Sequence, residues 1–208
     1  LSRITSVINP DGTTKNTTYS KWEINDYDEN GNRHTYLLDA YDRIISVTEY
    51  NTDFYLLGNE TYNTTYSYST TDELTGIRDT LGNTFNFTYD NLGRKISLDD
   101  PDLGTWTYHY DLTNNLIKQI DNKQNQILLS YDDLNRIRQK NTTSIKYNFT
   151  YDTQYQGTLS KIEFDNITYS YTYDDRLRPI KEKRTSTKQQ WNLSMEKEFS
   201  FDSMNRIR

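Results

Sequence analysis

Apolar and polar residues alternate at period two along much of this chain. Phe85, Phe87 and Tyr89 alternate with Asn86 and Thr88; Tyr147, Phe149 and Tyr151 alternate with Asn148 and Thr150. Ile167, Tyr169, Tyr171 and Tyr173 alternate with Thr168, Ser170 and Thr172. Each segment predicts a strand with an aromatic face and a hydroxyl or amide face. Between them lie Asp28-Glu29-Asn30-Gly31-Asn32, Thr80-Leu81-Gly82-Asn83, Asp90-Asn91-Leu92-Gly93 and Asp121-Asn122-Lys123-Gln124-Asn125. Asp, Asn and Gly tolerate left-handed backbone, and Asp and Asn bond their own main chain, so these clusters predict hairpin turns. No window shows an apolar stripe at helical spacing.

The strands share a signature: aromatic, any residue, aromatic, Asp, then three or four residues later Arg or Leu and an aliphatic. Copies end at Tyr89-Asp90, Tyr110-Asp111, Tyr131-Asp132, Tyr151-Asp152, Tyr173-Asp174 and Phe201-Asp202. From Tyr68 through Tyr89, Tyr110, Tyr131 and Tyr151 to Tyr173 the steps are 21, 21, 21, 20 and 22 residues. A fixed period of this length marks an array in which each repeat buries its aromatic face against its neighbours. Residues 1–208 therefore read as a single all-β array of successive hairpins in one long coiling sheet. Tyr68, Phe87, Tyr89, Tyr108, Tyr110, Tyr131, Phe149, Tyr151, Tyr171, Tyr173, Phe199 and Phe201 are expected to stack from repeat to repeat. Asp90, Asp111, Asp132, Asp152, Asp174 and Asp202 are expected to cap turns. Longer steps, from Leu38 to Tyr68 and from Tyr173 to Phe201, predict extended hairpins or loops near 48–62 and 183–196. Leu1-Ser2-Arg3-Ile4 matches Met204-Asn205-Arg206-Ile207 in phase, so the chain reads as a fragment of a longer array.

YDNLGRKISL from Tyr89, YDDLNRIR from Tyr131 and IRDTLGNTFNFTYD from Ile77 resemble the YD repeats of Rhs proteins, found also in the Tc-toxin C component and in teneurins. The resemblance implies a β-sheet that spirals into a hollow shell or tube wall, with aromatic residues stacking from turn to turn. Tyr68-Ser69 and Leu38-Asp39 are degenerate copies, and Asn135 and Asn205 stand where the pattern has Gly. Asn accepts left-handed backbone almost as Gly does, so the turn survives. The family's closing segment with its self-cleaving aspartates is not visible in this sequence, which gives no support to autoproteolysis or an attached toxin.

Composition alters the picture in one respect. A hydrophobic fraction of 33% and a mean hydropathy of -1.00 would suggest disorder, but 19 Tyr, 7 Phe and 3 Trp carry the missing apolar area. A tyrosine ring can be buried while its hydroxyl is wet or bonded, which suits a thin wall. The net charge of -6 is interspersed, without the basic stripe that successive phosphates require, so nucleic acid is excluded as a partner. No run approaches the roughly 18 apolar residues of a bilayer span, and a chain without Cys forms no disulfide or thiolate metal site.

Candidate chemistry is sparse. Asp99-Asp100, Asp132-Asp133 and Asp174-Asp175 suggest the paired carboxylates of glycoside hydrolysis, yet the repeat aspartate recurs at almost every period, as turn capping demands and a catalytic residue does not. His34 and His109 sit in different periods. Oxygen-rich Asp28–Asn32 lacks the EF-hand spacing and reads as a turn. No phosphate-binding glycine loop or nucleophile elbow is present. Neither a cofactor nor a metal is expected, and the reading is non-enzymatic.

Asn-x-Ser/Thr sequons occur at Asn16, Asn59, Asn63, Asn86, Asn141, Asn148, Asn166 and Asn192. Asn63, Asn86, Asn148, Asn166 and Asn192 fall out of phase with neighbouring aromatics, so glycans there would leave the rings undisturbed. The expectation is an extracellular or cell-surface, N-glycosylated wall segment serving as stalk, filament or adhesin scaffold. Its partners would be neighbouring repeats of the same longer chain, other copies in a fibre, or an enclosed C-terminal cargo. Two alternatives stand: the encapsulating shell of a polymorphic toxin, and a carbohydrate-binding surface using Trp22, Trp106 or Trp191 as platforms.

Overall fold

The computed structural model describes residues 3–51, 60–188, 191–202, 204, 206 and 207, with the backbone alone for Lys188, Trp191 and Asn192. Phe54-Tyr55-Leu56-Leu57-Gly58 and Gln189-Gln190, on which part of the long-hairpin expectation rests, lie outside the described residues, as does Asn59. Two compact units divide the chain at Trp106 and Thr107.

The first unit contains β1 (Ser6–Ile8), β2 (Thr14–Tyr19), β3 (Glu23–Tyr27), β4 (Arg33–Leu38), β5 (Ile44–Asn51), β6 (Glu60–Tyr68), β7 (Leu74–Arg78), β8 (Thr84–Tyr89) and β9 (Lys95–Asp100). The division falls within β10 (Gly104–Tyr110). The second unit continues with β11 (Leu116–Ile120), β12 (Gln126–Tyr131), β13 (Ile137–Asn141), β14 (Lys146–Tyr151), β15 (Leu159–Phe164), β16 (Ile167–Tyr173), β17 (Pro179–Lys188) and β18 (Trp191–Glu198). The fold is all-β: in each unit every strand pairs antiparallel with its neighbour in sequence. The longest strands are β5, β6, β17 and β18, at 8, 9, 10 and 8 residues.

Successive turns alternate between the two rims of each meander, and most are built alike. At Asp79–Asn83 the Asp79 N–H donates to the Asn83 carbonyl, the Gly82 N–H donates back to the Asp79 carbonyl, and Gly82 holds φ +90°. The other rim, which carries the Tyr-Asp signature, adds a β-bulge. Pairing slips one residue between Thr88 and Tyr89, Ser130 and Tyr131, Thr150 and Tyr151, and Thr172 and Tyr173. A bulge bends its strand and ends regular pairing. On this rim the paired register of β11 with β12 ends at Lys118 and Leu128, and that of β13 with β14 at Gln139 and Asn148.

Among the described residues no hydrophobic side chain is fully buried; the buried residues are Thr158 and Ser160. In β8 the rings of Phe85, Phe87 and Tyr89 are half-buried while Thr84, Asn86 and Thr88 are exposed. Backbone ladders, turn chemistry and half-covered rings therefore do the work that a dry core does elsewhere.

Candidate functional site

The Tyr-Asp rim concentrates the side-chain chemistry. In the turn from Asp90 to Arg94, Asp90 Oδ1 accepts the N–H groups of Leu92 (2.9 Å) and Arg94 (3.0 Å), and Oδ2 accepts Arg94 Nε (2.7 Å). The Arg94 Nη2 atom lies 2.6 Å from the same oxygen. One carboxylate thus satisfies the main chain of the turn and orients a guanidinium in a fork geometry. Asp39–Arg43, Asp132–Arg136, Asp174–Arg178 and Asp202–Arg206 repeat it. The residue before Arg is left-handed: Asp42, Gly93, Asn135 and Leu177 hold φ of 61°, 73°, 60° and 59°.

These bonds hold the carboxyls below their ordinary range. For Asp90 and Asp174 the arginine side chain is the main cause; for Asp132 and Asp202 it is the arginine backbone N–H. At Asp39 partial burial pushes hardest and upward, but the Arg43 and backbone donors together outweigh it.

Three of these guanidiniums then reach the next repeat. Arg43 lies 4.6 Å from the Tyr68 ring centre, Arg136 4.3 Å from Tyr151, and Arg178 4.6 Å from Phe201. Arg43 Nη1 also meets Asp72 at 2.9 Å, and Arg136 grips both oxygens of Asp152, at 3.0 and 2.7 Å. Asp152 differs from the other repeat aspartates: it is itself left-handed, at φ 65°, and heads a longer loop closed by Gly157 N–H on its Oδ1. Asp111 accepts the N–H groups of Thr113 and Asn115 in an arginine-free version of the turn.

The repeat tyrosine completes the link. Tyr89 OH donates to the Leu74 carbonyl, Tyr131 OH to Leu116 and Tyr173 OH to Leu159, each at 2.8 Å. Tyr68 OH donates to Ile44 at 2.8 Å, and Tyr151 OH to Ile137 at 3.0 Å. Each acceptor lies just after a turn, beyond the paired part of the adjoining ladder. Where the strands splay, the phenol supplies the donor that the backbone no longer provides. Glu73, Asn115 and Thr158 occupy the arginine position before the acceptors of Tyr89, Tyr131 and Tyr173, so the phenol bond is kept where the arginine is not.

Strand spacing argues against a continuous ring-on-ring ladder among the described repeat tyrosines. Tyr68 and Tyr89, or Tyr131, Tyr151 and Tyr173, stand two strands apart, about 9.5 Å, whereas aromatic pairs need centroids within about 7 Å. Ring-on-ring contacts among the described residues include Tyr147–Phe164 and Phe164–Tyr169, on adjacent strands. Phe87, Tyr108, Tyr110, Phe149 and Tyr171 are half-buried along β8, β10, β14 and β16; Phe199 donates its N–H to the Ile180 carbonyl, and Phe201 bridges to Ile207.

The degenerate copy at Tyr68-Ser69 is a coordinated replacement. Ser69 Oγ donates to Glu73 Oε2 and accepts the N–H groups of Thr71 and Glu73, so hydroxyl and carboxylate exchange the places of carboxylate and guanidinium.

The remaining candidates are dispersed. Asp100 accepts backbone N–H groups of Asp102 and Leu103, and Asp99 accepts Thr105 Oγ1. His34 lies 3.5 Å from Glu49, while His109 is exposed on β10. Asp28 takes Asn30 N–H and Asn32 N–H on Oδ1 and the Asn32 amide on Oδ2. No group of three His, Cys, Asp or Glu able to hold a metal occurs among the described residues. Trp22 is 40% exposed, Trp106 is half-buried with its indole N–H hidden, and the Trp191 and Asn192 side chains lie outside the described residues. Asn16, Asn63, Asn86 and Asn166 are exposed, whereas Asn141 and Asn148 are half-buried.

No family model matches the chain, and no curated protein matches its sequence. Solved structures do. A mutant Tc holotoxin pore from Photorhabdus luminescens matches with a TM-score of 0.79 and 12% identity, over 99% of this chain and 12% of that one. The crystal structure of TcdB2-TccC3 gives a TM-score of 0.79 and 12% identity, over 99% and 13%. TcdB2-TccC3-Cdc42 gives 0.58 and 12%, over 97% and 15%. The chain thus spans under a sixth of each, and what it shares with them is the fold of the Rhs-repeat shell.

Proposed function

We propose that this chain is a non-enzymatic wall segment of a large extracellular or cell-surface Rhs-like protein, glycosylated on its polar face. The observation that carries the reading is the recurring link of turn aspartate, arginine and next-repeat tyrosine, which uses the polar groups of the rim to join one repeat to the next. Aspartates committed to main-chain N–H groups and arginines are poor acids and bases for catalysis. The exposed Asn16, Asn63, Asn86 and Asn166 are the sequons that best accommodate a glycan. The likeness to TcdB2-TccC3 favours a second reading, an encapsulating toxin shell with its cargo elsewhere.

Intact mass and glycopeptide mapping of the protein from its native source separate the two. A product far heavier than 24.8 kDa with sugars on Asn86 and Asn166 supports the surface wall. A large unglycosylated chain with a separately cleaved C-terminal fragment supports the toxin shell and overturns the first reading.

A further inference from the structure

The Tyr-Asp rim of the first unit carries two adjoining notches. One, of about 650 Å³, lies between the turns at Asp39–Arg43 and Ser69–Glu73. The other, of about 500 Å³, lies between Ser69–Glu73 and Asp90–Arg94. Ser69 and Thr71 line both, so the two form one track along the rim.

Tyr41 opens the track. Its side chain is 80% exposed, and the Arg43 guanidinium, 5.1 Å from the ring centre, steadies it. The same guanidinium is held by Asp39 and Asp72 and lies against Tyr68, so the platform rests on a fixed support. Hydroxyls and carboxylates follow: Ser69 Oγ lies 3.1 Å from Thr71 Oγ1, Thr71 donates to Glu73 at 2.6 Å, and the Asp72 side chain is 74% exposed. Arg43 is shared by Asp39 and Asp72, Arg94 is taken by Asp90, and Glu73 has no cation among these, so carboxylates outnumber guanidiniums along the track. That balance repels anions and offers acceptors to an uncharged ligand with many hydroxyls. Ser69 Oγ is fully engaged within its own turn, so the open acceptors are Thr71 Oγ1 and the Asp72 carboxylate. A ring that offers a C–H face to Tyr41 and hydroxyls to Thr71 and Asp72 is a sugar. Equivalent rim positions recur every two strands, about 9.5 Å, close to the length of one disaccharide in an extended chain.

We propose that this rim binds a neutral, extended glycan, one disaccharide to a notch, with Tyr41 as the stacking platform. The site is separate from the wall role, which stands whether or not a sugar binds.

Titration calorimetry with cello- and chito-oligosaccharides of two to six units tests it. Tetrasaccharides should bind about tenfold or more tighter than disaccharides, because the second notch is engaged intramolecularly. Tyr41→Ala, at an exposed position where folding is little affected, should weaken binding about tenfold. Trp22→Ala, one turn away and outside both notches, should leave it unchanged. Absence of binding at millimolar sugar, equal binding of two and four units, or equal losses in the two variants would each overturn the proposal.

Discussion

Replacing Tyr131 by Phe removes one oxygen, and the geometry says what that oxygen does. Tyr131 OH donates to the Leu116 carbonyl at 2.8 Å, past the end of the β11–β12 ladder at Lys118 and Leu128. Losing one such bond costs about 1 kcal/mol, or roughly fivefold in the unfolding equilibrium. Tyr131→Ala removes the ring as well. A half-buried tyrosine covers on the order of 100 Å², about 2.5 kcal/mol at 25 cal/mol per Å². The Ala variant should therefore lose about 3.5 kcal/mol and the Phe variant under a third of that. Urea unfolding gives the two values, and amide exchange along β11 and β12 shows whether the loss is local. Protection should fall first at Leu116–Lys118 in the Phe variant. A Phe variant as stable as the parent would refute the claim that the phenol replaces a missing ladder bond. Equal losses in Phe and Ala would refute the claim that the ring itself is worth burying.

Leu177 sits at φ 59° where the other turns of this rim place Gly, Asn or Asp. Leu177→Gly should stabilise by about 1 kcal/mol through relief of left-handed strain, and an unchanged or lower melting temperature would count against it. Arg136 joins the turns at Asp132 and Asp152, so Arg136→Gln should raise amide exchange through Asp152–Thr158, while Arg138→Gln, outside that network, should not. The turn aspartates predict acid sensitivity. Their folded pKa values lie below the ordinary 3.8, so their contribution is fully present above that value and is lost as pH falls through the lower folded values. Acid unfolding monitored by circular dichroism should begin below about pH 4 and shift upward in Arg136→Gln. The phenols predict the alkaline limit. Burial raises Tyr89, Tyr131 and Tyr173 above the ordinary 10.0, so their contribution holds below pH 10 and fades as pH rises through the folded values. Ultraviolet titration should show these phenols ionising together with unfolding.

The repeat and its all-β class were legible because period-two alternation and Asp-Gly or Asp-Asn turns are local signals. Phe85, Phe87 and Tyr89 announce a strand without help from the rest of the chain. What the tyrosine does was not legible. Sequence shows an aromatic at a fixed interval, and aromatic rings at a fixed interval suggest stacking; the obstacle is that one period holds two strands, which places consecutive tyrosines too far apart for ring contact. The clue lay in the pairing of Tyr with the aliphatic that follows the previous turn, as Tyr131 with Leu116 or Tyr151 with Ile137. That clue has meaning only once the bulge between Ser130 and Tyr131 is known to end the ladder. A bulge depends on the strand opposite, so no local reading of either strand contains it.

The Ser69–Glu73 turn shows the same limit from the other side. Read along the chain, the missing aspartate makes Tyr68-Ser69 a decayed copy. In the folded turn the hydroxyl takes the carboxylate's place in accepting the Thr71 and Glu73 N–H groups, and the Glu73 carboxylate takes the place of the guanidinium. The requirement the turn imposes is an acceptor for two N–H groups and a side-chain bond across four residues. Asp with Arg, Asp with Asn, and Ser with Glu all meet it, at Asp90–Arg94, Asp79–Asn83 and Ser69–Glu73. Ser69→Asp alone should therefore destabilise this turn, because it sets two carboxylates against each other, and Ser69→Asp with Glu73→Arg should restore it. If the single change is harmless, the turn is insensitive to the chemistry of the pair and the interpretation of the degenerate copy as a coordinated exchange fails.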